Sequence, residues 1–252
     1  MLKRRLIPVL ILRDAQVVQS VQFRHTNVIH WDPMKAVEFF NAWAVDEIVV
    51  LDVSRDTRRR QRFYDAVSAL SRKCFVPLTV GGWIGSVDEI RAILRLGADK
   101  VVINTQAVRR PAFISEAAAT FGSQCVVVAI DVRRAEAGGH EVYIDRGREP
   151  TGREPLAWAQ EAERLGAGEI LVTSIDHEGA RQGYDLPLVR RLADALDIPV
   201  VAFGGVFTWQ HLVDGVVEGR AEAVAAANIF HYTEMSTKRA KDYMRLAGID
   251  VR

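Results

Sequence analysis

The chain is poor in cysteine, in charge of one sign and in long apolar runs. Its two cysteines in 252 residues, Cys74 and Cys125, are too few for a disulfide framework, and their spacing fits neither a zinc site nor a CxxC redox pair. Each sits in an apolar stretch, so buried free thiols in a reducing cytosol are expected. No apolar run approaches the roughly twenty residues of a membrane helix. The N-terminal MLKRRLIPVLILRD is basic and then apolar. Its run Leu6–Leu12 stops at Arg13-Asp14 with no small-residue cleavage motif, and it reads as a buried strand rather than a signal peptide. Lysine and arginine total 33 against 32 aspartate and glutamate, a net charge of +1, which gives no electrostatic reason to expect nucleic acid or a membrane surface as partner. The cluster Arg58, Arg59, Arg60 and Arg62 is local and reads as a solvated helix start. No linker or low-complexity segment divides the chain, so residues 1–252 are read as one domain. Nothing in the pattern asks for a metal or an organic cofactor.

What the chain does have is regular alternation. Hydrophobic residues make up 49% and charged residues 26%, enough to fill a globular core. Eight short apolar runs recur: Leu6–Leu12, Glu47–Asp52, Val76–Val80, Lys100–Ile103, Gln124–Asp131, Glu169–Ser174, Pro199–Phe203 and Ala221–Ala226. Continuous apolar runs, rather than alternating ones, mark strands covered on both faces, hence a parallel sheet wrapped by helices. The stretches between read as amphipathic helices. Asp32-Pro33 opens one as N-cap and first turn, and Ser86-Val-Asp-Glu89 has the form of a capping box. Gly97 and Gly166 read as helix stops. Eight βα units in this length predict an α/β fold, a (β/α)8 TIM barrel; a doubly wound open sheet is the competitor. Segments also repeat at an offset of about 120 residues: VPLTVGG (76–82) with IPVVAFGG (198–205), EIVV (47–50) with EILV (169–172), and LIPVLILR (6–13) with VVVAIDVR (126–133). The barrel is therefore expected to be two related halves.

The active site of such a barrel lies at the C-terminal ends of its strands. Gly81-Gly82 end the third strand and Gly204-Gly205 the seventh. Glycines there let backbone N–H groups approach an anion, so the two pairs predict two phosphate sites; ordinary turn glycine is the plainer reading. Asn104-Thr105 and Asn228 follow the fourth and eighth strands and can complete the cradles or simply cap helices. Asp52, Asp131 and Asp176 stand at or just past strand ends as candidate general acids or bases, with helix capping an equal reading for Asp176. The half-repeat pairs Asp131 with Ile11, so a two-carboxylate acid/base pair is not expected. At the opposite mouth Arg5, Glu47, Lys100 and Glu169 begin four strands, and pointing inward they would form a salt-bridged ring that caps the core or gates it.

These segments resemble the HisF family, the synthase subunit of imidazole glycerol phosphate synthase, along the whole chain. The resemblance is carried by PLTVGGWIGSVDEI, LGADKVVINTQAV, FGSQCVVVAIDVRR, PTGREPLAWAQEAERLGAGEILVTSIDHEG and AAANIFH. It implies a heterodimer with a HisH-like glutaminase, whose ammonia enters the barrel floor and rises along its axis to a phosphorylated substrate at the top. It implies that Arg5, Glu47, Lys100 and Glu169 are the ammonia gate and that Asp99 lies on the glutaminase docking face. By the same resemblance Asp131 is one of two catalytic aspartates. Gly82, Asn104 and Thr105 would hold one phosphate. Asp176, Gly204 and Gly205 would hold the other, with Gly179 and Asn228 beside them.

The departures gather at the top. The family's Cys-Leu-Asp on the first strand is Val9-Leu10-Ile11, its first-loop lysine is Gln19, its third glycine after strand three is Trp83, and Phe203 and Asn228 replace serines. Its Asp-Gly-Thr turn is Glu178-Gly179-Ala180. The floor residues are all kept. Loss of a general acid or base costs about two to four powers of ten in rate. This pattern resembles the WbuZ-type HisF-like subunits of sugar amidation in surface-polysaccharide pathways, which would make the chain an ammonia conduit serving a separate sugar amidotransferase. A working cyclase of histidine biosynthesis and a non-catalytic activator of the glutaminase are the other two readings. Neither cysteine lies in a nucleophile elbow, so glutamine use requires the partner chain.

Overall fold

The computed structural model describes residues 3–42, 45–136, 138–231 and 235–252, with the side chains of 41 and 42 left aside. The apolar runs become eight parallel strands: β1 Arg5–Arg13, β2 Ile48–Asp52, β3 Leu78–Gly81, β4 Lys100–Ile103, β5 Val126–Arg134, β6 Glu169–Ser174, β7 Val200–Phe203 and β8 Ala223–Ala226. Each pairs with the next, and β8 pairs with β1 through Arg5↔Ala223 to Pro8↔Ala226, so the sheet closes on itself. This is the expected (β/α)8 barrel. The helices are α1 Pro33–Ala42, α2 Arg60–Ser71, α3 Val87–Arg95, α4 Thr105–Arg109, α5 Ala112–Phe121, α6 Pro155–Arg164, α7 Leu186–Ala193, α8 Trp209–Val217 and α9 Ser236–Leu246. None of the described helices is long and apolar enough to cross a membrane.

Because side chains alternate along a strand, each strand feeds two cores. Leu6, Leu10 and Leu12 face the helices with Val50, Val80, Val128 and Leu188, whereas Ile7, Val9 and Ile11 face the barrel axis with Val49, Val102, Val127, Ala129, Leu171 and Val201. Burying each such aliphatic side chain stabilises the fold by about 1.5–3 kcal/mol. On β5 the inward set is Val127, Ala129 and then Asp131, so Ile11 and Asp131 are equivalent third inward positions, as the repeat implied.

Local signals hold at the helix starts. Asp32 accepts from Met34 N–H at 2.9 Å, and Ser86 accepts from Glu89 N–H at 3.3 Å. The second half of the capping box differs: the Glu89 carboxylate takes Gly85 N–H at 2.6 Å.

Three expectations change. Two antiparallel hairpins rise from the top and were not anticipated, one pairing Gln16–Val21 with His25–His30, the other pairing His140–Ile144 with Glu149–Pro150. Both follow the nine-residue strands β1 and β5, so the half-barrel repeat extends into them. The arginine cluster is not uniformly solvated, since Arg60 donates to Trp83 O at 2.7 Å and pairs with Glu89. Cys74 and Cys125 are free but only partly buried.

Candidate functional site

At the N-terminal mouth, four charged side chains close the floor. Arg5 begins β1, Glu47 precedes β2, Lys100 begins β4 and Glu169 begins β6. Arg5 Nη1 donates to Glu47 at 2.9 Å and Arg5 Nη2 to Glu169. Lys100 Nζ reaches Glu47 at 3.1 Å and Glu169 at 3.2 Å, so every cation touches both anions. Thr79 Oγ1 also donates to Glu47 at 2.6 Å. Burial alone would weaken the charge on Arg5, but Glu169 and Glu47 together raise its pKa. The ring encloses the axis: Glu47 and Glu169 side chains are 4% and 9% exposed, whereas Lys100 is 21% exposed, the loosest member. Asp99 is exposed on this mouth, with Oδ2 accepting from Leu78 N–H at 2.7 Å.

Above the ring the axis is apolar until the strand ends, where a cavity of about 740 Å³ opens. Ile11, Asp131, Asn104, Leu171 and Phe203 line it together. Asp131 receives Asn104 Nδ2 at 3.2 Å. Burial raises its pKa to about 7, opposed by a hydrogen bond from Thr173 and reinforced by the negative charge of Glu178. At neutral pH this carboxyl can both take and give a proton. Asp52 lies in the same lining, where burial raises its pKa although Ser54 and Trp83 Nε1, at 2.9 Å, donate to it.

The anticipated first phosphate cradle is largely occupied by the protein. Gly82 has φ +120°, and a Cβ there would lie 2.8 Å from Asp52 Cβ, so the turn does need glycine. The next residue, Trp83, also sits in the left-handed region with its indole on Asp52. Asn104 is committed to Asp131 and to Ala129 O, and Thr105 Oγ1 accepts from Asp145 N–H at 3.1 Å. A carboxylate and an indole thus stand where an anion would approach Gly81-Gly82.

The second cradle remains open. Gly179, Gly204, Gly205 and Asn228 line a separate cavity of about 190 Å³ with Gln19, Arg181 and Glu178. Asn228 Oδ1 is buried with no hydrogen-bond partner in the protein. Phe203 lines both cavities and stands between them. Asp176, expected in this cradle, lines neither cavity. Its carboxylate accepts from Arg134 N–H at 2.8 Å and its carbonyl from Gln22 at 3.1 Å, so it fastens the top of β5 to the first hairpin.

A family profile described as Histidine biosynthesis protein matches residues 5–236. The chain belongs to the histidine biosynthesis protein family. Membership fits a synthase barrel of the HisF or HisA kind, with strand ends as its working face.

Within that family frame, one residue escaped the sequence reading as a site residue. Glu178 is 3% exposed, and burial raises its pKa to about 6. It accepts from Ser20 Oγ at 3.2 Å and from Phe23 N–H at 3.3 Å, binding the hairpin to the loop after β6. It is close enough to Asp131 to raise that group's pKa. Its signal was visible only as a changed turn, Glu178-Gly179-Ala180, with no pattern to say that the carboxyl turns inward.

Proposed function

We propose that this chain is the synthase-type subunit of a glutamine amidotransferase complex, conducting ammonia from a HisH-like glutaminase to an acceptor at the upper cavity. The acceptor is a phosphorylated small molecule, and amidation of a surface-polysaccharide sugar by a separate amidotransferase is the biological setting this reading favours. The single observation that carries it is a closed charged floor beneath an apolar axis that ends at Ile11, where a second acid would be needed for ring formation. Ammonia is neutral and small, so an aliphatic bore admits it more readily than ammonium. Lys100, on a flexible stem and the most exposed ring member, is the part that can swing aside. Phe75, 85% exposed in the loop leading into β3, gives the same mouth an apolar contact for the glutaminase beside exposed Asp99.

The test is transfer of label from amide-¹⁵N glutamine in the reconstituted pair. Lys100→Met should release label to bulk solvent while glutamine hydrolysis continues. If hydrolysis and transfer both survive unchanged, the conduit reading fails and an allosteric activator is the better description.

Glu178 favours a second reading, the imidazole glycerol phosphate cyclase. Two carboxyls with raised pKa stand at the top, and the second could substitute for the missing aspartate. Turnover of the ribotide substrate with ammonium salt by the barrel alone, abolished by Glu178→Gln, would replace the first reading with this one.

A further inference from the structure

The large upper cavity carries arginines at its mouth and no lysine in its lining. Two of those arginines are spent: Arg59 on Asp14 at 2.6 Å and Arg146 on Asp145 at 3.0 Å. Arg13, Arg24, Arg55 and Arg148 have no carboxylate within ion-pair distance among the described residues. They do not come from one helix face, where solvation would explain them. They come from the end of β1, the turn of the first hairpin, the loop after β2 and the turn of the second hairpin, and all four line one concavity. Like charges brought together from four segments repel one another, and a cleft focuses their field outward. The guanidinium fork suits paired oxygens of phosphate better than a lone point charge. The inner position after β3 cannot serve the same anion, because Asp52 and Trp83 occupy it and Asn104 and Thr105 are already bonded.

We propose that Arg13, Arg24, Arg55 and Arg148 form an anion site at the mouth of this cavity, taking the phosphate or diphosphate ester group of a ligand with two or more negative charges. The inference deepens the functional reading by naming the acceptor's class, and it rests on the upper cavity being the acceptor's site. The ester enters through the arginine rim and lies outside the filled β3 turn. Its uncharged part then reaches inward toward Asp131 and the top of the apolar axis. The site is concave and continuous with that buried carboxyl, which fits a small molecule better than the acidic surface of a protein.

The experiment is calorimetric titration of the full chain with inorganic pyrophosphate and with inorganic phosphate. One pyrophosphate should bind per chain, at least about tenfold tighter than phosphate because it meets more guanidinium groups, and its affinity should fall with added salt. Arg24→Ala and Arg148→Ala, both at exposed positions, should each weaken it by about tenfold, the value of one charge-assisted hydrogen bond. Arg24→Lys should restore part of that loss. Arg181→Ala, in the small cavity, should leave it unchanged. Absence of pyrophosphate binding, equal affinity for phosphate, or loss in Arg181→Ala with none in the rim variants would each overturn the site. Rim binding without ammonia transfer would sink the functional reading and leave this site standing; transfer without rim binding would do the reverse.

Discussion

At the residue scale, Asp131 makes the sharpest statement about pH. Its carboxyl titrates near 7 in the folded chain against an ordinary 3.8. Below about pH 4 both folded and unfolded forms hold the proton, and no penalty exists. Between pH 4 and 7 the unfolded chain gives up the proton while the folded chain keeps it, so stability falls; above 7 the loss is constant. The gap corresponds to about 4 kcal/mol as a ceiling, and solvent reaching the cavity lowers it. Asp131→Asn should therefore raise Tm relative to wild type at pH 8 and leave it nearly unchanged at pH 4, read by calorimetric scans at both values. An equal effect at both would mean that the carboxylate is well solvated. The sequence placed Asp131 and Ile11 in equivalent positions because strand alternation has a strict period of two. It could not show that Glu178 turns inward or that Asp176 turns away, because those orientations are set in a loop by the hairpin packing above it.

At the element scale, strands and helices were legible because a parallel barrel writes itself as apolar runs separated by capped amphipathic stretches. The strands from Lys100 and from Glu169 begin and end where the runs do. The hairpins were not legible. Their turns put non-glycine residues into the left-handed region, Asp14, Ala15, Gln22, Phe23, Asp145 and Arg146, where no Asn-Gly or Asp-Gly signal marks them. The loop after β7 shows the opposite case. Gly205 has φ +97°, and a Cβ would lie 2.1 Å from Gly183 O, in a contact that the Gly183 N–H to Gly205 O bond holds at 2.9 Å. Gly205→Ala should cost at least about 3 kcal/mol in urea unfolding and widen the small cavity's wall. A loss under 1 kcal/mol would show that the loop shifts freely and that the glycine pair was kept for something other than close packing.

The floor ring belongs to this scale too, since it ties four strands. Lys100→Met leaves Glu47 and Glu169 sharing one arginine, a cost of about 2–3 kcal/mol because the two carboxylates are nearly buried. Adding Glu47→Gln removes one uncompensated charge, so the double variant should recover part of that loss. A double variant no better than the single one would mean that the ring acts through packing rather than charge.

At the scale of the whole molecule, the barrel is stable only if its two ends meet. The β8–β1 pairing does part of this, and the chain's last segment does the rest. Arg252 N–H donates to Arg4 O at 3.1 Å, and Arg4 bridges Val251 in parallel. Beneath them Lys241 of α9 pairs with Asp46 at 2.7 Å, each side chain 5% exposed, across 195 residues of sequence. Asp46 also accepts from Leu6 N–H at 2.9 Å, so one carboxylate links the last helix to the first strand. Taking Lys241 away leaves that charge buried with only a neutral donor, which is worse than removing both partners. Lys241→Met should lower unfolding free energy by about 3 kcal/mol, while Asp46→Asn with Lys241→Met should lose less. The m-value should stay constant, because a closed barrel unfolds as one unit when its seam opens. A reduced m-value in Lys241→Met would instead show that α9 and β8 peel away first, leaving the other strands folded.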